Sequence, residues 1–138
     1  MSYKEIVVSL DELEKVLNYL DRNIPENAII FLNGNLASGK TTLTKAIAKY
    51  KGLDSSVTSP TFSLQHIYGD RLFHYDLYRI DDINFMALGL FEEFEKSGWH
   101  IVEWGSKALR DLCFKAGYNV VSIDIEILEN KRRYKIEI

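Results

Sequence analysis

Apolar residues recur along this chain with two different periods, and the changes of period divide it into elements. Leu10, Leu13, Val16, Leu17 and Leu20 repeat at helical spacing, the stripe that one buried helix face requires. Ser9-Leu10-Asp11-Glu12 at their start is a capping box, in which Glu12 reaches back to the Ser9 amide. The spacing predicts a helix from Leu10 to about Asp21, ended by Pro25 and Asn27. Ala28-Ile29-Ile30-Phe31-Leu32 is a continuous apolar run of buried-strand length, after which Leu43, Ala46, Ile47 and Tyr50 return to helical spacing.

Gly52 to Pro60 is rich in Gly, Asp, Ser and Thr and reads as a connection. Thr61 to Tyr68 and Arg71 to Tyr78 are β-prone runs joined by Gly69-Asp70, which predicts a hairpin. From Asp81 to Gly98 the pattern is helical, with Ile83, Met86, Ala87 and Leu90 expected on the buried side and Gly98 at the end. Trp99 to Trp104 reads as a strand, and Lys107 to Leu112 as a brief helix. Tyr118 to Leu128, alternating at Val121, Ile123, Ile125 and Ile127, pairs with the run containing Tyr134, Ile136 and Ile138 across Glu129-Asn130-Lys131 as a second hairpin. Two hairpins cannot belong to a purely parallel sheet, so the expected fold is a single α/β domain over residues 1–138, a mixed sheet flanked by helices.

Composition adds little to this picture. A hydrophobic content of 46% and a charged content of 27% are ordinary for a globular chain. Lys4, Glu5, Asp11 and Glu12 leave no secretory apolar segment at the start and no run reaches membrane-spanning length, so a cytoplasmic protein without a membrane partner is expected. Cys113 stands alone, which excludes an internal disulfide and reads as a small core residue. A net charge of −3 argues against a broad basic surface, so any link to RNA is expected to run through partners. Lys131-Arg132-Arg133 is either the solvated end of a hairpin or a phosphate contact.

Chemistry enters between the apolar run and the helix after it. Gly34-Asn35-Leu36-Ala37-Ser38-Gly39-Lys40-Thr41 satisfies G-x-x-x-x-G-K-[ST] in a strand, loop, helix context. Such a loop turns backbone N–H groups toward phosphate oxygens, Lys40 reaches the terminal phosphates, and the Thr41 hydroxyl ligates Mg²⁺. A magnesium triphosphate also requires a carboxylate at a neighbouring strand end. Glu103 and Asp76 are the two candidates: Glu103 is assigned to the metal and Asp76 to the attacking water, an assignment that is open to exchange. Ser59-Pro60-Thr61-Phe62 is either a switch segment, through the Ser59 or Thr61 hydroxyl, or a polar turn. Trp104 reads as core or cleft wall. His74, His66 and His100 lack ligand spacing and are expected in structural or supporting roles.

With these residues in place, the chain resembles the TsaE (YjeE) family, the ATPase subunit of the bacterial machinery that makes N6-threonylcarbamoyladenosine in tRNA. GNLASGKTTL, VTSPTFSLQHIY, FHYDLYRIDD and IVEWG follow one another in family order, ahead of a C-terminal β region with Arg132 and Arg133. The resemblance implies ATP and Mg²⁺ as cofactors, TsaB and TsaD as partner subunits, and a functional link to TsaC or Sua5. It also implies that Asn35, Leu36, Ala37, Ser38, Gly39, Lys40, Thr41 and Thr42 contact phosphates and that Thr41 and Glu103 hold Mg²⁺. Asp76 is then the catalytic carboxylate and Thr61 a switch contact, with Ser9 or Arg133 toward the base. The chain departs from the family loop GDLGAGKT at Asn35, Ala37 and Ser38, and has Gly105 where the family has Pro. A small-molecule kinase and a non-enzymatic nucleotide-dependent module are the competing classes. Asn130-Lys131-Arg132-Arg133 lacks the Asp of an N-K-x-D guanine reader.

Overall fold

Strand pairing between distant segments, rather than local pattern, sets the architecture. The computed structural model describes residues 2–138 apart from 36, 37, 54, 60 and 61. The strands are β1 (Tyr3–Val8), β2 (Ala28–Asn33), β3 (Ser56–Thr58), β4 (Gln65–Tyr68), β5 (Leu72–Asp76), β6 (Trp99–Glu103), β7 (Val120–Ile127) and β8 (Arg132–Glu137). They form one sheet in the order β1-β8-β7-β2-β6-β5-β4-β3. The central strands β7, β2, β6 and β5 run parallel, while the outer pairs are antiparallel. The α/β fold with a mixed sheet and two hairpins is as the sequence predicts.

Helices α1 (Glu14–Asn23) and α2 (Lys40–Tyr50) cover one face, and α3 (Asp82–Ala87), a 3₁₀ segment Leu90–Glu95 and α4 (Lys107–Lys115) cover the other. Ala28 to Leu32 are all buried because β2 lies at the centre: Ile30 and Leu32 join the cluster under α1 and α2, whereas Ile29 and Phe31 join the opposite one. α4 covers the second face of β7 only at its start, where Val120 packs and Ser122 accepts from Arg110, and beyond that β7 and β8 are covered on one face. Val121, Ile123, Ile125, Tyr134 and Ile136 point inward there, and Glu126, Arg133 and Lys135 occupy the uncovered face. Cys113 is a fully buried core residue whose thiol burial pushes up to about 12.

Several expectations are corrected. β1 and β3 are edge strands that the sequence reading missed. Only Val8 of β1 is buried and all of β3 is exposed, so hydrogen bonding to β8 and β4 makes them strands, without any hydrophobic pattern to announce it. The first helix begins as a 3₁₀ turn, Leu10–Glu12, and α1 runs on to Asn23, with the Ser9 amide donating to Glu12 Oε1 over 3.4 Å. Pairing of Tyr68 with Leu72 makes the first hairpin link Gly69-Asp70-Arg71, not the Gly69-Asp70 pair alone. The helical stretch predicted to Gly98 is broken between α3 and the 3₁₀ segment, which resets its phase. Ile83 is 80% exposed, and Met86 and Ala87 are exposed as well, while Phe85, Leu90 and Phe94 are buried. Of the face expected to be buried, only Leu90 is.

Candidate functional site

The loop between β2 and α2 is held by contacts that a larger residue would break. A Cβ on Gly34 would meet Ser38 Oγ at 2.5 Å and the Ile125 carbonyl at 2.9 Å, so the chain can pass there only as glycine. Ser38 N donates to the Asn35 carbonyl over 2.9 Å, and Arg132 Nε donates to the Ser38 carbonyl over 3.1 Å. Leu36 and Ala37 lie outside the described residues. The Ser38 hydroxyl is buried and has no hydrogen-bond partner among the described residues, a polar group inside the loop suited to a bound oxyanion.

Lys40 opens α2 and is 4% exposed. Its ammonium donates to the carbonyls of Gly34 (2.6 Å) and Asn35 (3.0 Å) and lies 4.1 Å from the centroid of the Trp104 ring. Burial lowers its pKa, and the carboxylates of Glu103 and Asp76 oppose that shift. The first turn of α2 carries no acidic residue, which leaves the positive end of the helix for an anion, with Thr41 and Thr42 exposed beside it.

Strand register brings the two carboxylates together. Asp76 is directly beside Glu103 in the β5–β6 pair, and Glu103 is beside Leu32 in the β2–β6 pair. Leu72, Ile101 and Leu32 belong to the core under α1 and α2, so by strand alternation Asp76 and Glu103 face the side that carries α2. Glu103 is buried and accepts a hydrogen bond from His74 Nε2. Asp76 is exposed, and its Oδ1 accepts from the Tyr78 amide over 3.1 Å. The Thr41 hydroxyl and the Glu103 carboxylate are hard oxygen donors of the kind Mg²⁺ takes. Among the described residues no three His, Cys, Asp or Glu side chains gather into a cage, so phosphates and water would complete the coordination.

The other candidates are dispersed. Ser59 is nearly buried, its Oγ accepts from the Phe62 amide over 3.1 Å, and its own amide donates to the Gln65 carbonyl over 2.8 Å. Thr61 lies outside the described residues. Trp104, with φ 63, walls the cleft over Lys40 and meets Tyr78 edge-on at 4.9 Å. Arg133 does not approach the loop: it is ion-paired with Glu126 at 2.8 Å on the uncovered face. Arg132 takes the position at the loop, with Ser9 just beyond its β1 partner Val8. The signal was present in the sequence, since Arg132 shares the parity of Tyr134 and Ile136, which form the core side of β8. His74 as the partner of Glu103 was also missed.

A phosphate-loop helix at the carboxyl edge of parallel central strands, with acidic strand ends beside it, defines a P-loop-type α/β domain. The comparisons narrow the class. The chain belongs to the TsaE family: the model described as "Threonylcarbamoyl adenosine biosynthesis protein TsaE" matches residues 7–135. The tRNA threonylcarbamoyladenosine biosynthesis protein TsaE of Aquifex aeolicus is 34% identical, over 96% of this chain and 95% of that protein. The Rickettsia conorii protein of the same name is 32% identical over 91% of this chain and 71% of its own length. The crystal structure of Bacillus subtilis YdiB superposes with a TM-score of 0.63 at 25% identity, covering 98% of this chain and 84% of that one. No helix among the described residues is long and apolar enough to cross a membrane.

Proposed function

We propose that this chain binds Mg²⁺-ATP and hydrolyses it slowly as the ATPase of the machinery that makes threonylcarbamoyladenosine in tRNA. TsaB and TsaD are its proposed partners, with a functional link to TsaC or Sua5 and no direct grip on tRNA. One observation carries the reading: Asp76 and Glu103 are paired at the ends of β5 and β6, and the Lys40 ammonium lies over Trp104, the residue after Glu103, although the three are far apart in sequence.

In this reading the loop amides, the Ser38 hydroxyl and Lys40 bind the phosphates, and Thr41 with Glu103 would hold Mg²⁺, which neutralises charge on the phosphate oxygens. Lys40 exchanges its bonds to the Gly34 and Asn35 carbonyls for phosphate oxygens. Exposed Asp76 orients a water in line with the terminal phosphorus and takes its proton as the bond to the ADP oxygen breaks. P-loop proteins without a positioned arginine turn over on the order of 10⁻⁴ to 10⁻² per second, and one arginine adds roughly 10³ to 10⁵. Arg79, three residues past Asp76, or a partner would supply it. Tyr78, Ile83, Met86 and Leu88 are exposed close by in sequence and offer apolar surface for a partner.

A small-molecule kinase is the second reading, favoured by a 520 Å³ depression lined by Asp76, Leu64, Arg79, Ile80 and Leu88, where an acceptor could sit. Phosphate release from ATP, measured with no acceptor present and then with TsaB and TsaD added, separates the two. Slow release that rises with the partners is expected. Release only when a small hydroxyl compound is supplied would favour the kinase, and no ATP binding at all would end both readings.

A further inference from the structure

We propose that His74 is a positioning residue for Glu103, fixing the orientation in which that carboxylate meets the Mg²⁺ of a bound nucleotide. The proposal rests on the nucleotide reading above and adds a residue to it.

Both side chains are withdrawn from water, at 10% and 7% exposure. A carboxylate can only accept, so His74 Nε2 carries the hydrogen that bonds Glu103 Oε2. The bond is not between directly paired residues: His74 lies beside Ile101, and Glu103 beside Asp76. The imidazole therefore reaches forward along the sheet to the end of β6. Among the described residues no other side chain bonds Glu103, so Oε1 is left for a further partner.

His74 is itself held. Its ring stacks on His66, centroids 6.1 Å apart, and His66 Nδ1 is 3.4 Å from the Thr58 hydroxyl. Register places Thr58 beside His66 and His66 beside His74, so Thr58, His66, His74 and Glu103 form one polar file from β3 to β6. A histidine that merely filled core space would not need this file, which ends at the carboxylate on one side and at the residue before Ser59 on the other. A carboxylate held in this way has lost rotamer freedom before any cation arrives, as groups that orient metal ligands do.

The test is ATP binding by isothermal titration calorimetry, in EDTA and across a Mg²⁺ series. His74→Leu is expected to leave affinity in EDTA nearly unchanged and to raise the Mg²⁺ concentration for half-effect by about tenfold or more. His74→Gln, whose amide nitrogen can donate from near the same place, recovers most of that loss. His74→Asn, with an amide too short to reach, replaces His74→Leu should the latter fail to fold. Equal weakening with and without Mg²⁺, or an unchanged Mg²⁺ dependence, overturns the proposal. The wild-type arm separates the two layers: no ATP binding strikes the function itself, whereas ATP binding indifferent to Mg²⁺ strikes the metal role of Glu103 and this proposal with it.

Discussion

The ammonium of Lys40 lies 4.1 Å from the centre of the Trp104 ring while donating to the Gly34 and Asn35 carbonyls. Any phosphate that draws Lys40 away from those carbonyls changes the field over the indole. Trp104 emission is therefore expected to shift on addition of Mg²⁺-ATP. Trp99 is buried, with Nε1 donating to the Pro25 carbonyl over 2.9 Å. The signal should survive in Trp99→Phe and vanish in Trp104→Phe; the reverse pattern would place the nucleotide elsewhere.

Binding and turnover should separate at two residues. Lys40→Ala removes the charge aimed at the terminal phosphates and is expected to weaken ATP binding by about tenfold or more, since hydrogen bonds to charged groups contribute roughly 1.5–3 kcal/mol. Asp76→Asn keeps the shape of an exposed residue but not its basicity. It should bind ATP normally and lose about 10² or more in phosphate release, the range for a positioned general base. Equilibrium titration and single-turnover release measure the two.

The two neighbouring arginines should behave differently. Arg132 ties the Ser38 carbonyl, and Arg132→Ala is expected to weaken ATP binding by about fivefold, from one lost hydrogen bond of roughly 1 kcal/mol. Arg133 is half-buried and paired with Glu126 and Glu5 away from the loop, so Arg133→Ala should leave affinity unchanged and shift stability by about 1 kcal/mol. Equal effects on affinity would argue that β8 sits in the other register.

His100 predicts acid sensitivity. Its Nδ1 accepts from the Tyr75 hydroxyl over 2.7 Å and its Nε2 donates to the Lys96 carbonyl over 2.8 Å, so the ring is held neutral. Burial lowers its pKa below the ordinary 6.5. A depressed folded-state pKa means that the unfolded chain binds the proton more readily. The contribution of His100 is thus present above pH 6.5 and lost as pH falls through its lower folded value. In thermal melts from pH 7.5 to 5, wild-type Tm should decline and His100→Phe should start lower but decline less steeply.

Gly98 sits where a side chain cannot. A Cβ there would lie 2.0 Å from the Arg71 carbonyl oxygen at φ 123, whereas Gly117 at φ 93 has open space around it. Gly98→Ala is expected to cost about 3 kcal/mol or more and Gly117→Ala about 1 kcal/mol, from backbone strain alone. Melting curves should rank them in that order.

How much of this was legible beforehand follows from the range of the interactions involved. The reading of Gly98 as a helix end was close, because the 3₁₀ segment stops at Glu95, but nothing local revealed that Arg71 would crowd it. Ile83, Met86 and Ala87 matched a helical stripe, but α3 docks on the sheet through Phe85 and leaves that stripe exposed. Asp76 and Glu103 could be listed as candidates from their strand-end positions, but not as neighbours.

The chain alone determined the loop from Gly34 to Thr41, the helix after it, the alternating strands of the second hairpin and the presence of acidic strand ends. These follow from local chemistry: capping, period and the residues a phosphate loop requires. The tertiary structure decided what depends on register. Parallel pairing of β5 with β6 set Asp76 beside Glu103, and alternation on β8 turned Arg132 to the loop and Arg133 away. Edge pairing made strands of β1 and β3, and the parallel register of β5 on β6 put the His74 side chain within reach of Glu103. A shift of one residue in a strand reverses every side chain on it, and no local pattern fixes which of two neighbouring polar residues will face the site.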